Sequence, residues 1–300
     1  MTRRGILLAG GTGSRLAPAT AVVSKQLLPV YDKPLVYYPL SVLMLAGIRE
    51  VMLISGTAQL PLFEALLGDG SQWGMTIKYA AQARPEGIPQ ALSIAAPFLD
   101  GAPLALILGD NLFFGADLPE VLRRVRDDDR DTIFAYQVED PRMFGTVTLG
   151  ADARPVKLDE KPAVPDTPWA IPGLYFLRND TVAMVPGLTK SPRGELEIID
   201  VLRQCLARGS LAVERLGRGT AWLDSGTAEA LLEASQFVHV LEKRTGLKIS
   251  CPEEIAYRMG FIDRKALEAL AKKLRGSEYG RYLAGIVAET PPSEVPPGAR

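Results

Sequence analysis

The stretch LLAGGTGSRLAPAT, Leu7 to Thr20, decides how this chain is read. An apolar run, Gly5 to Ala9, reads as a short buried strand, and Gly10, Gly11 and Gly13 follow it directly. A glycine-rich turn at the end of a strand can aim several backbone N–H groups at one anion, and glycine lets the backbone come close. Two familiar versions of such a loop do not fit. A G-x-G-x-x-G fingerprint begun at Gly11 puts Leu16 at the third glycine, and the Lys-Ser/Thr pair of a P-loop is missing at its spacing. On these residues alone a tight turn without a ligand stays open. Arg15 and Lys25, two cations in a glycine- and proline-rich stretch, favour phosphate.

Outward from the loop, the first half of the chain alternates. Val51–Ser55, Met75–Ala81 and Leu104–Leu108 read as strands; Gln59–Leu67 and Ile88–Phe98 read as helices. Leu35–Gly47 carries a helical apolar pattern in which Pro39 marks a kink or a later start. This alternation predicts a mostly parallel sheet covered on both faces, with right-handed connections. After Asp131 the rhythm changes. Thr132–Val138, Thr146–Leu149, Pro155–Glu160 and Trp169–Leu177 are strand-like with short gaps, which predicts an antiparallel insertion beside the sheet, over about 131–178. Glu197–Arg208 and Ala228–Arg244 return to helix. The α/β core is thus expected over 1–245 and a helical region over 246–290. In that region Pro252 starts one helix. Asp263 caps the next, with a Leu267, Leu270, Leu274 stripe and Gly276 at its end. The Pro-rich 291–300 is expected to be disordered.

Composition bounds the function. With 34 basic and 35 acidic side chains the net charge is −1, so nothing draws the whole chain toward nucleic acid or an acidic membrane. No stretch approaches the roughly 18 apolar residues of a membrane span, and MTRRGILLAGG is too short an apolar run for a signal peptide. A cytoplasmic protein is expected. Cys205 and Cys251 match neither a redox pair nor a zinc spacing and are expected to be reduced and buried. His239 is the only histidine, which argues against a histidine base.

Two aspartates add chemistry. Asp110 ends ALILGD and Asp224 ends TAWLD, each after an apolar strand-like segment, where open α/β sheets place ligand chemistry. One such aspartate alone is usually a loop cap. Two hard carboxylates together with phosphate oxygens suit Mg²⁺.

Read onward, GGTGSRLAPATAVVSKQLLP resembles the sugar nucleotidyltransferase signature G-G-x-G-x-R-L-x-P-x-T-x(4)-K-x(3)-P at every fixed position: Gly10, Gly11, Gly13, Arg15, Leu16, Pro18, Thr20, Lys25 and Pro29. SKQLLPVYDKPLVYYPLS, LMLAGI, LLGDGSQWG, LGDN, SPRGELEI, AWLDSGT and KISCPEEIAYR extend the likeness over about residues 3–288, to the glucose-1-phosphate thymidylyltransferase type. That resemblance implies a Rossmann-like core and Mg-dependent joining of dTTP and α-D-glucose 1-phosphate, with release of pyrophosphate. A related enzyme using UTP or another hexose 1-phosphate is the alternative.

By the same resemblance, Gly10, Gly11, Thr12 and Gly13 hold the nucleotide. Arg15 holds the departing pyrophosphate, and Lys25 the phosphates at the reacting centre. Gln82 and Gly87 contact the thymine, and Trp222 lines the cleft or is simply core. Glu160 and Lys161 of DEKP take the sugar hydroxyls and the sugar phosphate. Gly145 and Gly173 let main chain approach the glucose, with Arg193 nearby. Asp110 and Asp224 bind the metal. The helical region is implied to assemble a homotetramer. There Lys248, Cys251, Glu254 and Arg258 border a regulatory site for the end product dTDP-L-rhamnose. Phe144 stands where the resemblance expects Tyr, and Phe114 and Ala116 where it expects Tyr and His.

Overall fold

The computed structural model describes residues 2–11 and 13–289. Thr12 and the tail expected to be disordered therefore lie outside the described residues. Four parallel strands make one end of a ten-stranded sheet, in the order Thr76–Ala81, Glu50–Ser55, Arg4–Leu8, Leu104–Leu108 from the edge inward. The first strand in sequence is internal, and the order reverses between it and Leu104–Leu108. In open α/β sheets ligands bind at such a switch point, beyond the carboxyl ends of the strands. The glycine loop leaves one of these two strands and Asp110 follows the other.

These strands are near-continuous apolar runs because both faces are covered. Leu7, Leu53 and Ile107 face a cluster with Leu40, Leu43 and Leu122 of helices Tyr37–Leu45 and Leu118–Arg126. Ile6, Ile54 and Leu106 face Leu92, Ala95 and Leu202 of helices Pro89–Leu99 and Ile198–Ala207. Each fully buried Leu or Ile here contributes about 1.5–3 kcal/mol. Pro39 falls in the first turn of Tyr37–Leu45, where no N–H is needed, so the helix starts late and is not kinked at its middle.

The antiparallel strands expected beside the sheet continue it laterally. Trp169–Ala170 and Leu174–Leu177 both pair along Asp131–Gln137, with a break at Pro172–Gly173. Beyond the break Gly145–Leu149 and Pro155–Glu160 splay away as a hairpin. Leu211–Arg215 pairs parallel with Asp131–Gln137, on a strand not foreseen. A separate two-stranded ribbon, Asn111–Phe114 with Ala221–Asp224, places Asp224 opposite Asn111.

Helix Ala228–Thr245 leads into Pro252–Arg258, Arg264–Lys273 and Glu278–Ala288. Asp263 caps its helix, accepting from Ala266 N at 2.8 Å. That helix stops at Lys273, before Gly276, so Leu274 leaves the stripe and is 39% exposed, contrary to expectation. Leu267, Ala271, Leu283 and Ile286 form a small core with Cys251. These helices dock on the α/β core, where Trp73 Nε1 donates to Glu253 Oε1 at 3.2 Å. Among the described residues no helix is long and apolar enough to cross a membrane.

Candidate active site

Strand Arg4–Leu8 ends in a loop whose first residues need glycine. A Cβ on Gly10 would come within 2.5 Å of Gln82 Oε1, and Gly11 and Gly13 have φ of +98° and +60°. The turn Ser14–Leu16 buries Leu16 and leaves Arg15 exposed. Arg15 reaches toward the Ala221–Asp224 ribbon: a Cβ on Gly226 would meet Asp224 Oδ1 at 3.2 Å and Arg15 Nη2 at 3.4 Å. Gly226 thus keeps open the space where the two converge. Lys25 opens the turn Lys25–Leu27, and its Nζ sits 2.5 Å from Asp110 Oδ2.

The two aspartates meet as the ribbon dictates. Ser225 N donates to Asp110 O at 3.2 Å, bringing the end of one strand to the start of the other. Burial, and next the charge of Asp110, push the Asp224 carboxyl up to about 6. The Ser225 hydroxyl, wholly buried, has no hydrogen-bond partner among the described residues. The described residues contain no cluster of three or more His, Cys, Asp or Glu side chains able to hold a metal. Two crowded carboxylates without a third protein ligand fit a hard divalent cation that completes its shell from phosphate oxygens.

Two cavities open on this point. One, of about 180 Å³, is lined by Gly10, Gly11, Gln26, Gln82 and Gly87. The other, of about 220 Å³, is lined by Arg15, Gly145, Glu160, Lys161, Gly173, Arg193, Trp222 and Asp224. Both include Ile88, Leu108, Asp110 and Glu195 in their walls. Asp110 is therefore the junction of a glycine-loop cavity and a second, more charged one. A larger open groove of about 1010 Å³ beside Trp169 and Arg215 contains none of the expected site residues.

In the second cavity Arg193 bridges Glu160 and Glu197, at 2.7 Å to each. Burial, then the neighbouring Glu197, raises the Glu160 carboxyl above its ordinary value. Lys161, held at φ +43° with its N–H on Phe144 O, has no carboxylate partner among the described residues. Phe144 packs against Trp222 with ring centroids 4.9 Å apart. Trp222 is both core and cleft wall, 8% exposed. The two cavity glycines are needed by the fold itself. A Cβ on Gly173 would strike Leu108 at 2.6 Å, and one on Gly145 would meet Ile199 at 2.9 Å. Gly173 N is already engaged by Asn111 Oδ1 at 3.0 Å. Gly87, at φ +111°, pairs with Leu196, whose carbonyl leaves no room for a side chain.

Lys248, Cys251, Glu254 and Arg258 lie together in the helical region, away from both cavities' linings. Lys248 pairs with Asp32 and Glu242 and lies over the rings of Tyr279 and Tyr282. Arg258 pairs with Glu254 at 2.6 Å, and Glu254 accepts from Tyr282. Burial holds the Cys251 thiol up, as it does Cys205; both are free.

Sequence reasoning does not single out Asn111 or Glu197, although both lie in quoted motifs. Asn111 is 3% exposed. It donates to Asp110 Oδ1 at 2.9 Å, and its Oδ1 accepts from Trp222 Nε1 at 2.7 Å as well as from Gly173 N. A polar residue directly after Asp110 was the only local signal.

The sequence profile of the family described as Nucleotidyl transferase matches residues 4–240. The glucose-1-phosphate thymidylyltransferase of Mycolicibacterium smegmatis is 53% identical over 284 residues, covering 95% of this chain and 99% of the relative. That of Xanthomonas campestris pv. campestris is 48% identical, covering 95% and 97%. A Bacillus anthracis crystal structure in complex with sucrose, described as a glucose-1-phosphate thymidylyltransferase, superposes with a TM-score of 0.72 at 33% identity, covering 79% of this chain and 95% of that one. The chain belongs to the nucleotidyl transferase family and, within it, to the glucose-1-phosphate thymidylyltransferases.

Proposed function

We propose that this chain transfers the thymidylyl group of dTTP to α-D-glucose 1-phosphate, giving dTDP-glucose and pyrophosphate. The observation that carries the reading is the pair of cavities meeting at Asp110. The glycine-loop cavity takes the nucleotide, with Gln82 and Gly87 toward the base. The charged cavity takes the sugar phosphate, with Glu160 accepting from hydroxyls, Lys161 on the phosphate, and Arg193 holding Glu160.

The sugar phosphate is itself the nucleophile. Its second pKa of about 6 leaves it anionic at neutral pH, so no general base is needed. What must be overcome is repulsion between two anions. Lys161 neutralises one, Lys25 the α-phosphate, and Arg15 the leaving pyrophosphate. Enzymes of this family use a divalent metal; we assign Mg²⁺, which Asp110 and Asp224 would hold and which would add positive charge at the phosphates. Catalysis is then mainly positioning and electrostatic stabilisation, by in-line displacement without a covalent enzyme intermediate.

The same reading includes a cytoplasmic enzyme that opens dTDP-sugar synthesis. It includes a homotetramer built through the 246–290 helices, and feedback by dTDP-L-rhamnose at the site bordered by Lys248, Cys251, Glu254 and Arg258. Pyrophosphate release measured across dTTP, UTP, ATP, CTP and GTP with several hexose 1-phosphates tests the substrate assignment. Fastest turnover with dTTP and glucose 1-phosphate is expected, and a clear preference for another pair replaces it. Light scattering showing a monomer removes the assembly, and kinetics unmoved by dTDP-rhamnose remove the feedback.

A further inference from the structure

Gln90 lies in the first turn of helix Pro89–Leu99, outside the linings of both cavities. Its amide is nevertheless tied to the base side of the site. Side-chain amide oxygen and nitrogen are told apart only through their hydrogen-bond partners. Here one partner is unambiguous. The backbone N–H of Glu86 can only donate, and the Gln90 atom that it meets, at 3.0 Å, must be the carbonyl oxygen Oε1. The other end of the same amide faces the Glu86 carboxylate at 3.3 Å, which can only accept. Gln90 is thus fixed in one orientation from both ends.

That orientation propagates. Gln90 Oε1 lies 2.7 Å from the Gln82 amide, so the Gln82 atom facing it must be the nitrogen Nε2. Gln82 is then compelled to turn Oε1 the other way. There it lies over Gly10, at the place a Cβ would occupy, beside the glycine-loop cavity. Gln82 is 4% exposed, and its Oε1 receives no hydrogen bond from the described residues. A ligand that offers a donor satisfies it; one that offers a lone pair meets oxygen against nitrogen.

We propose that Gln90 is a positioning residue that locks the Gln82 amide with its oxygen toward the base, so that the site selects a pyrimidine bearing a ring N3–H over one with a bare N3. Thymine and uracil carry that N–H; cytosine does not. The inference rests on the reading of Gln82 as the base-contacting residue. Without Gln90 the Gln82 amide can turn over and present nitrogen instead, and selectivity is lost while the reacting groups are untouched.

The test compares kcat/KM for dTTP, dCTP and UTP in the wild type, the double variant Glu86→Gln, Gln90→Glu and the single variant Gln90→Leu. Gln90→Glu, made together with Glu86→Gln so that an amide and not a second carboxylate faces it, keeps an acceptor for both the residue-86 N–H and Gln82 Nε2, and its dTTP/dCTP ratio is expected within about threefold of wild type. Gln90→Leu is expected to lower that ratio by about tenfold or more, one hydrogen bond's worth. The dTTP/UTP ratio stays unchanged in every variant, because both bases carry N3–H. Gln90 is half-buried, so the leucine side chain is tolerable; Gln90→Met, matched in length, replaces it if it does not fold. Equal losses with dTTP and dCTP, or an unchanged ratio in the apolar variant, overturn the proposal. A wild type that prefers a purine nucleotide overturns the underlying reading instead.

Discussion

Lys25 and Asp110 stand 85 residues apart in sequence and meet at 2.5 Å, cation on carboxylate, at the wall shared by the two cavities. The pair is largely shielded, with side chains 12% and 20% exposed. The ammonium thus occupies one oxygen of the carboxylate assigned to the metal. Removing it has two opposite consequences. Lys25→Ala is expected to lower kcat by roughly 10²–10³-fold, the usual loss for one pre-aimed charge. It is also expected to bind Mn²⁺ more tightly than wild type in the absence of nucleotide, because the cation beside Asp110 is gone. Titration calorimetry reads the second effect; weaker Mn²⁺ binding contradicts the competition.

Asp224 carries a stability cost. Its carboxyl lies at about 6 in the folded chain, well above the ordinary 3.8 of an aspartate, so the folded state holds the proton more tightly. Ionising the group therefore destabilises the fold: the cost is absent below the unfolded value and complete above the folded one. Asp224→Asn removes it. At pH 7.5 without metal this variant is expected to melt above wild type, by on the order of 1–3 kcal/mol, and to lose roughly 10²–10³-fold in kcat. The difference in melting should vanish near pH 4. A variant that melts below wild type at pH 7.5 contradicts the account.

Asn111→Ala strips an acceptor from Trp222 Nε1 and Gly173 N, and a donor from Asp110. Orphaned buried groups cost about 1–3 kcal/mol each. Lower melting temperature together with lower kcat/KM for glucose 1-phosphate is expected. Loss of stability alone would reduce Asn111 to a packing residue.

Glu160 gives the pH dependence its direction. Its carboxyl is raised by burial and by Glu197, and Arg193 acts against both. Protonation removes an acceptor for sugar hydroxyls, so KM for glucose 1-phosphate should rise as pH falls through the raised value. Arg193→Ala removes the opposing charge and should move this acid limb to higher pH. A limb that stays in place or moves down refutes the assignment.

What was legible in the sequence follows from range. The glycine loop, Arg15 and Lys25 lie in one short segment, and Asp110 and Asp224 end apolar runs, so local reading reaches them. Asn111 acts through Trp222, 111 residues away, a contact that no local pattern reports. Gln90 and Glu197 meet partners only eight and four residues away, Gln82 and Arg193, but those pairings depend on how the loops before their helices fold, which no apolar period reports. Helix Leu118–Arg126 is different: Leu118, Leu122 and Val125 have helical spacing with Pro119 in the first turn, and the signal was present but masked by its arginines. The strand Leu211–Arg215 is short and half-buried, with no clean alternation to betray it.

The central claim is tested most directly by the products. The protein is incubated with dTTP, glucose 1-phosphate and Mg²⁺, and the nucleotide products and pyrophosphate are quantified together by chromatography. The account predicts dTDP-glucose and pyrophosphate in equal amounts, with both lost in Asp110→Ala. Release of inorganic phosphate in place of pyrophosphate, or product formation undiminished in Asp110→Ala, would contradict it.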